Sequence, residues 1–267
     1  LDAEIYGGGD ASMSDISLER DGHVAVLVID RPPNNHMSVE LIAALADALE
    51  ALDGDLDCRA VVLASARKVF CGGADLSPAG PDGGRPGSMA GDLYAQAERL
   101  FRTQKPIVAA VQGAAVGAGL GLALVADFRV AAPEARFSAN FAKLGFHSGF
   151  AISHTLPRVV GGQQAALMLQ TGRRVTGEAA LAMGLADQLA PVAEVRAAAL
   201  ALAQEIAANA PLAVQAMRAT LRAGLSDAVR AAMAHELEQQ TIQRATTDFA
   251  EGVRAVAERR EGRFTGA

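Results

Sequence analysis

Three short runs constrain this chain more than any other feature. His23–Asp30 (HVAVLVID), Arg59–Ala64 (RAVVLA) and Pro106–Gln112 (PIVAAVQ) are apolar almost without interruption. A strand with one face in water alternates polar and apolar residues, whereas a strand covered on both faces does not. The runs therefore predict interior strands of a sheet with helices packed on it, an α/β architecture. Asp21-Gly22, between Ile16–Arg20 and the first run, reads as a hairpin turn.

Helical patterns separate the runs. Ser38 is a candidate N-cap for a helix from Val39 to Leu52, where Leu41, Leu45, Leu49 and Leu52 follow the helical period. A second helix is predicted over Leu93–Arg102. DFRVAA (127–132) and RFSAN (136–140) read as further strands, and helices are predicted from Ala151, from Gly162 and from Thr176. The order is strand, strand, helix, repeated. After Pro191 the character changes, and segments 193–209, 211–223, 226–245 and 247–259 are Ala-rich and helical. The expected organisation is a core over 13–192 and a helical segment over 193–267. Residues 1–12 read as a leader outside the fold, with Met13 as the true start.

Bulk properties narrow the function. A net charge of −6 over 267 residues argues against a nucleic-acid partner. No apolar run approaches the roughly 18 residues of a membrane span. Two cysteines, Cys58 and Cys71, lack metal-site spacing and read as reduced thiols of a cytoplasmic protein. The five histidines are scattered, so no metal is expected. The Pro- and Gly-rich stretch Ser77–Gly87 has the composition of a functional loop.

Two glycine stretches follow strands: FCGGADL (70–76) and GAGLG (117–121). As a dinucleotide fingerprint the second fails, because it lacks the last glycine spacing and the acidic residue about 20 positions on. Close backbone packing remains open, and so does a helix N-terminus whose free N–H groups face an oxyanion.

Taken together, FCGGADL and AAVQGAAVGAGLGLALVADFRVA resemble the crotonase (enoyl-CoA hydratase/isomerase) family. RPPNN before the first helix, LPRVVG (156–161), TGRRVTGEAALAMGLAD (171–187) and DFAEGVRAVAERREGRFTG (248–266) fall in the same order. The resemblance spans Ser14 to Gly266. It implies a crotonase-like spiral of ββα units with a C-terminal helical trimerisation segment, giving homotrimers or dimers of trimers. It implies an acyl-CoA thioester ligand, with coenzyme A as part of the substrate and no separate cofactor.

By the same resemblance, the backbone N–H groups of Ala74 and Ala118 form an oxyanion hole that stabilises a thioester enolate. Arg31, Asn35, His36, Lys68, Gly72, Gly73, Asp75 and Leu76 would border the coenzyme A channel. Gly121, Phe141, Phe146, Gly149 and Phe150 would border the acyl pocket. Hydratases of the family use two glutamates as acid and base. Gly121 and Phe141 stand at those positions, and 141 − 121 = 20 matches the family spacing. Asn140 can orient a water, and His147, in the loop GFHSG (145–149), is the candidate acid/base because a neutral imidazole accepts protons near pH 7. The expected function is acyl-CoA processing of the enoyl-CoA hydratase/isomerase type. The alternative is an acyl-CoA-binding homologue without turnover.

Overall fold

A computed structural model describes residues 15–74 and 90–267. The leader and the Ser77–Gly87 loop lie outside the described residues. The elements are β1 (Ile16–Asp21), β2 (Val24–Ile29), β3 (His36–Met37), α1 (Val39–Gly54), β4 (Ala60–Ser65), β5 (Gly73–Ala74), α2 (Ala90–Phe101), β6 (Ile107–Val111), β7 (Ala114–Val116), α3 (Ala118–Val125), β8 (Phe128–Ala131), β9 (Arg136–Ser138), α4 (Ile152–Thr171), β10 (Arg174–Thr176), α5 (Gly177–Ala182), β11 (Gln188–Leu189), α6 (Val195–Ala207), α7 (Pro211–Leu221), α8 (Leu225–Arg244) and α9 (Thr247–Ala257).

The apolar runs become the middle of a six-stranded sheet ordered β1-β2-β4-β6-β8-β11. Only the β1–β2 hairpin is antiparallel; its neighbours pair in parallel, Val24 with Ala60 and Val61 with Ile107. Every residue of β2 and β6 is buried, as covering on both faces requires. Ser38 accepts the Leu41 amide and caps α1, whose Leu41, Leu45, Leu49 and Leu52 face the core.

β2, β4, β6 and β8 are each followed by a short strand in a second layer. There β3 pairs with β5, and β7 with β9, both in parallel. An isolated bridge between Cys71 and Ala115 links the two groups. Strands of two or three residues carry too little periodicity to be read from sequence, which is why β3, β5 and β7 were not expected. The helices predicted from Ala151 and Gly162 merge into α4, which breaks at Gly161 (φ 78°, ψ 159°).

The C-terminal helices pack on the rest of the chain. α6 lies across β2, β4, β6 and β8, and α8 packs against α2 and α4. Arg218 of α7 reaches back to Asp127 at 2.8 Å, and Arg222 joins the same carboxylate at 3.1 Å. Among the described residues no single helix is long and apolar enough to cross a membrane. A bent pair, Val192–Ala207 with Pro211–Leu221, has the length and composition, but α6 is spent covering the sheet.

Candidate functional site

The second layer brings two chain reversals together. Cys71 N donates to Ala114 O at 3.0 Å and Val116 N donates to Cys71 O at 3.1 Å. The end of β5 therefore sits beside the start of α3. Gly73 measures how closely: its φ is +81°, and a Cβ there would lie 2.5 Å from Val116 O and 3.4 Å from Ala118 N. An ordinary side chain would force the two turns apart. Gly117 precedes α3 with φ 55° and ψ −125° and no side-chain cap. The first N–H groups of α3 have no intrahelical acceptor, and the helix dipole adds partial positive charge there.

Ala74 and Ala118 both border a cleft of about 120 Å³. Met37, Leu93, Val116, Phe141, Leu144 and Phe146 make most of its wall apolar. Phe141 and Phe146 meet edge to face at 5.5 Å between ring centres. The Arg244 guanidinium lies 5.2 Å from the Phe146 ring centre, a cation–π distance. Among the described lining residues none carries a carboxylate or an imidazole. The polar side chains are Ser38, Tyr94, Asn140, Gln240 and Arg244.

Tyr94, Gln240 and Arg244 meet at one corner, where Arg244 Nη2 lies 3.4 Å from Gln240 Oε1. The Tyr94 hydroxyl donates to Gln240 Oε1 at 3.3 Å, and Gln240 Nε2 donates to the His147 carbonyl at 3.0 Å. Behind them the buried Glu236 accepts from Ala151 N at 2.7 Å, Ser153 N at 3.0 Å and Ser153 Oγ at 2.6 Å. Burial, then the nearby Glu236 carboxyl, pushes the Tyr94 phenol well above its ordinary value. Burial also raises Glu236, against the three hydrogen bonds it accepts.

Of the residues predicted from sequence, Gly72, Gly73, Ala74, Ala118, Phe141, Phe146 and Gly149 border the cleft. Gly121 and Phe150 lie behind its wall instead. Phe150, at φ 61°, is fully buried against Phe101, and a Cβ on Gly121 would meet its ring at 2.6 Å. His147 also lies off the cleft, in a neighbouring hollow with Ala142, Gln243 and Thr246. Its amide donates to Gln243 Oε1 at 2.5 Å, its Nδ1 sits 2.9 Å from Ser148 O, and its ring meets His235 edge to face.

The residues assigned to the coenzyme A side hold the loop that backs Gly72–Gly73. Arg31 pairs with Asp15 at 2.9 Å and donates to His36 O at 2.5 Å. Asn35 is fully buried; it accepts from Arg31 N and donates to Ser65 Oγ and Phe70 O. His36 Nδ1 lies 3.2 Å from Gly73 O. Lys68 is exposed, and Asp75 and Leu76 lie outside the described residues.

Tyr94, Gln240 and Arg244 were not anticipated. A signal existed for two of them. Glu236, Gln240 and Arg244 recur at intervals of four in an otherwise Ala-rich helix, which puts them on one face. Nothing in the sequence brings that face to α2.

Comparison with known proteins converges on one group. A family model described as enoyl-CoA hydratase/isomerase matches residues 19–267. The chain is 40% identical over 234 residues to the probable enoyl-CoA hydratase EchA14 of Mycobacterium tuberculosis, covering 86% of this chain and 90% of that protein. It is 33% identical to the 2,3-dehydroadipyl-CoA hydratase of Escherichia coli, covering 95% and 100%. The crystal structure of an enoyl-CoA hydratase/isomerase from Pseudoalteromonas atlantica superposes with a TM-score of 0.83 at 31% identity, covering 94% and 100%. With fold, order of motifs and near full-length similarity in agreement, this chain belongs to the enoyl-CoA hydratase/isomerase family and has the crotonase fold.

Proposed function

We propose that the cleft binds an acyl-CoA thioester with its carbonyl oxygen between the amides of Ala74 and Ala118. The juxtaposition of the Gly73 turn with the first amide of α3 is the observation that carries this reading. Negative charge grows on a thioester oxygen as its α-carbon loses a proton or its β-carbon accepts a nucleophile. A fixed donor at that oxygen contributes about 3 kcal/mol to the transition state. The chemistry so supported is acyl-CoA processing of the enoyl-CoA hydratase/isomerase type, with coenzyme A entering as part of the substrate.

A second reading, binding without turnover, is favoured by one feature. The described lining holds no carboxylate and no imidazole, and Gly121 and Phe141 stand where the family's glutamates are expected. Crotonyl-CoA turnover measured beside acyl-CoA binding by calorimetry separates the two. Turnover supports the enzyme, tight binding without turnover across several chain lengths supports the binding protein, and no binding at all removes both. Self-association into a trimer or a dimer of trimers belongs to the same proposal. It is supported by α7, which exposes Leu212, Met217 and Leu221 to 79%, 60% and 78%. A cytoplasmic location is supported by the free, buried thiols of Cys58 and Cys71.

A further inference from the structure

The polar corner of the cleft is built rather than incidental. Gly149 is the floor on which it closes: a Cβ there would lie 2.0 Å from Tyr94 Oη and 2.6 Å from Gln240 Nε2. Tyr94 comes from α2, Gln240 from α8 and Gly149 from the loop before α4, so three separate elements converge. Gln240 is 2% exposed and is held by its bond to the His147 carbonyl. The phenol shares its acceptor, Gln240 Oε1, with Arg244 Nη2 at 3.4 Å, and its own bond is long. At 3.3 Å it is well beyond the usual O–H···O distance of about 2.7–2.8 Å. The Tyr94 O–H is therefore a donor inside an apolar cleft whose acceptor is poorly placed.

We propose that Tyr94 is a specificity-determining residue whose hydroxyl donates a hydrogen bond to an oxygen carried on the acyl chain. The favoured ligands are then oxygen-bearing acyl-CoA thioesters rather than plain alkyl ones. The inference rests on the acyl-CoA reading above. The Phe150 amide also faces the phenol oxygen, but among the described residues an alkyl chain laid against the corner leaves the O–H donor with only its long bond to Gln240, whereas a ligand oxygen replaces that bond with a shorter one. Sites that offer a buried donor to a substrate oxygen discriminate strongly against the analogue that lacks it. The raised ionisation range of the phenol keeps it a donor throughout the ordinary pH range, suiting it to positioning a ligand rather than removing a proton.

The test compares two thioesters of equal chain length, 3-hydroxybutyryl-CoA and butyryl-CoA, by calorimetry on the wild-type chain and on Tyr94→Phe. The wild type is expected to bind the hydroxylated thioester at least tenfold more tightly, and Tyr94→Phe to collapse that ratio below threefold. A role confined to packing would weaken both thioesters together and leave the ratio intact. Equal affinities in the wild type, or a preference that survives Tyr94→Phe, overturn the proposal while leaving the acyl-CoA reading standing. Where Tyr94→Phe fails to fold, equal affinities in the wild type still overturn the proposal, and Tyr94→Leu takes the place of the phenylalanine variant in the ratio test. Binding of neither thioester at millimolar concentration removes the acyl-CoA reading itself, and this inference with it.

Discussion

Replacing Gly73 by alanine tests the geometry of the candidate site against simple loss of a glycine. Two costs add at this position. A φ of +81° places an L-residue in a left-handed conformation, at about 1–2 kcal/mol. The new Cβ would also lie 2.5 Å from Val116 O, roughly 1 Å short of ordinary C···O contact. Relieving that overlap requires β5 and β7 to separate, an overpacking cost of about 1–3 kcal/mol. The sum is about 2–5 kcal/mol, or a fall in Tm of roughly 5–15 °C for a chain of this size. Gly22 is the control, because its φ is +55° and nothing lies within 4 Å of its Cβ position. Gly22→Ala incurs only the backbone cost. Separation of β5 from β7 also moves the Ala74 and Ala118 amides apart. Two hydrogen bonds weakened by about 1 kcal/mol each reduce affinity roughly tenfold or more. Thermal melts of both variants, followed by calorimetric titration with butyryl-CoA, read both effects. Equal melting temperatures for the two variants, together with unchanged affinity in Gly73→Ala, would refute the claim that this glycine sets the distance between the turns.

Other expectations follow from packing and charge. Gly121→Ala should destabilise by about 1–3 kcal/mol, because its Cβ meets the Phe150 ring at 2.6 Å. Combined with Phe150→Leu the cost should fall below the sum of the single variants in urea titrations, whereas strict additivity would deny the contact. Burial pushes Cys71 up to about 12 and raises Cys58, so a thiol reagent at pH 8 should label neither in the native chain and both after unfolding; fast native labelling would contradict the packing. The Glu251 carboxylate is held below the usual range by Arg260, then Arg254 and the Arg263 amide. Its depressed folded value means that its contribution is present above the unfolded carboxylate range and is lost as pH falls through the lower folded value. The protection of amides 258–267 relative to their intrinsic exchange at each pH should therefore hold at pH 5 and fall only in stronger acid, and Glu251→Gln should lower it at pH 7; no change in the variant would remove Glu251 as the anchor of the tail.

The sheet was legible because its strands are long and apolar on both faces. α1 was legible because Ser38 and a leucine period mark its start and buried face. The pairing of FCGGADL with GAGLG pointed to the candidate site through its resemblance to the family, and the small residues there fit the backbone crowding at Gly73. What escaped detection was tertiary. Tyr94 and Gln240 lie on helices far apart in sequence, and only the packing of α2 on α8 brings them to one corner. Phe150 and His147 were expected at the cleft from their place in the chain. One turns into the core against Gly121, and the other is drawn aside by Gln243 and Ser148; neither outcome follows from spacing.

The central claim is that two main-chain amides share one thioester oxygen. A crystal structure with butyryl-CoA bound tests it most directly. The account predicts the thioester oxygen within about 3 Å of both Ala74 N and Ala118 N. A thioester oxygen bonded elsewhere, with either amide facing away from it, would contradict the account.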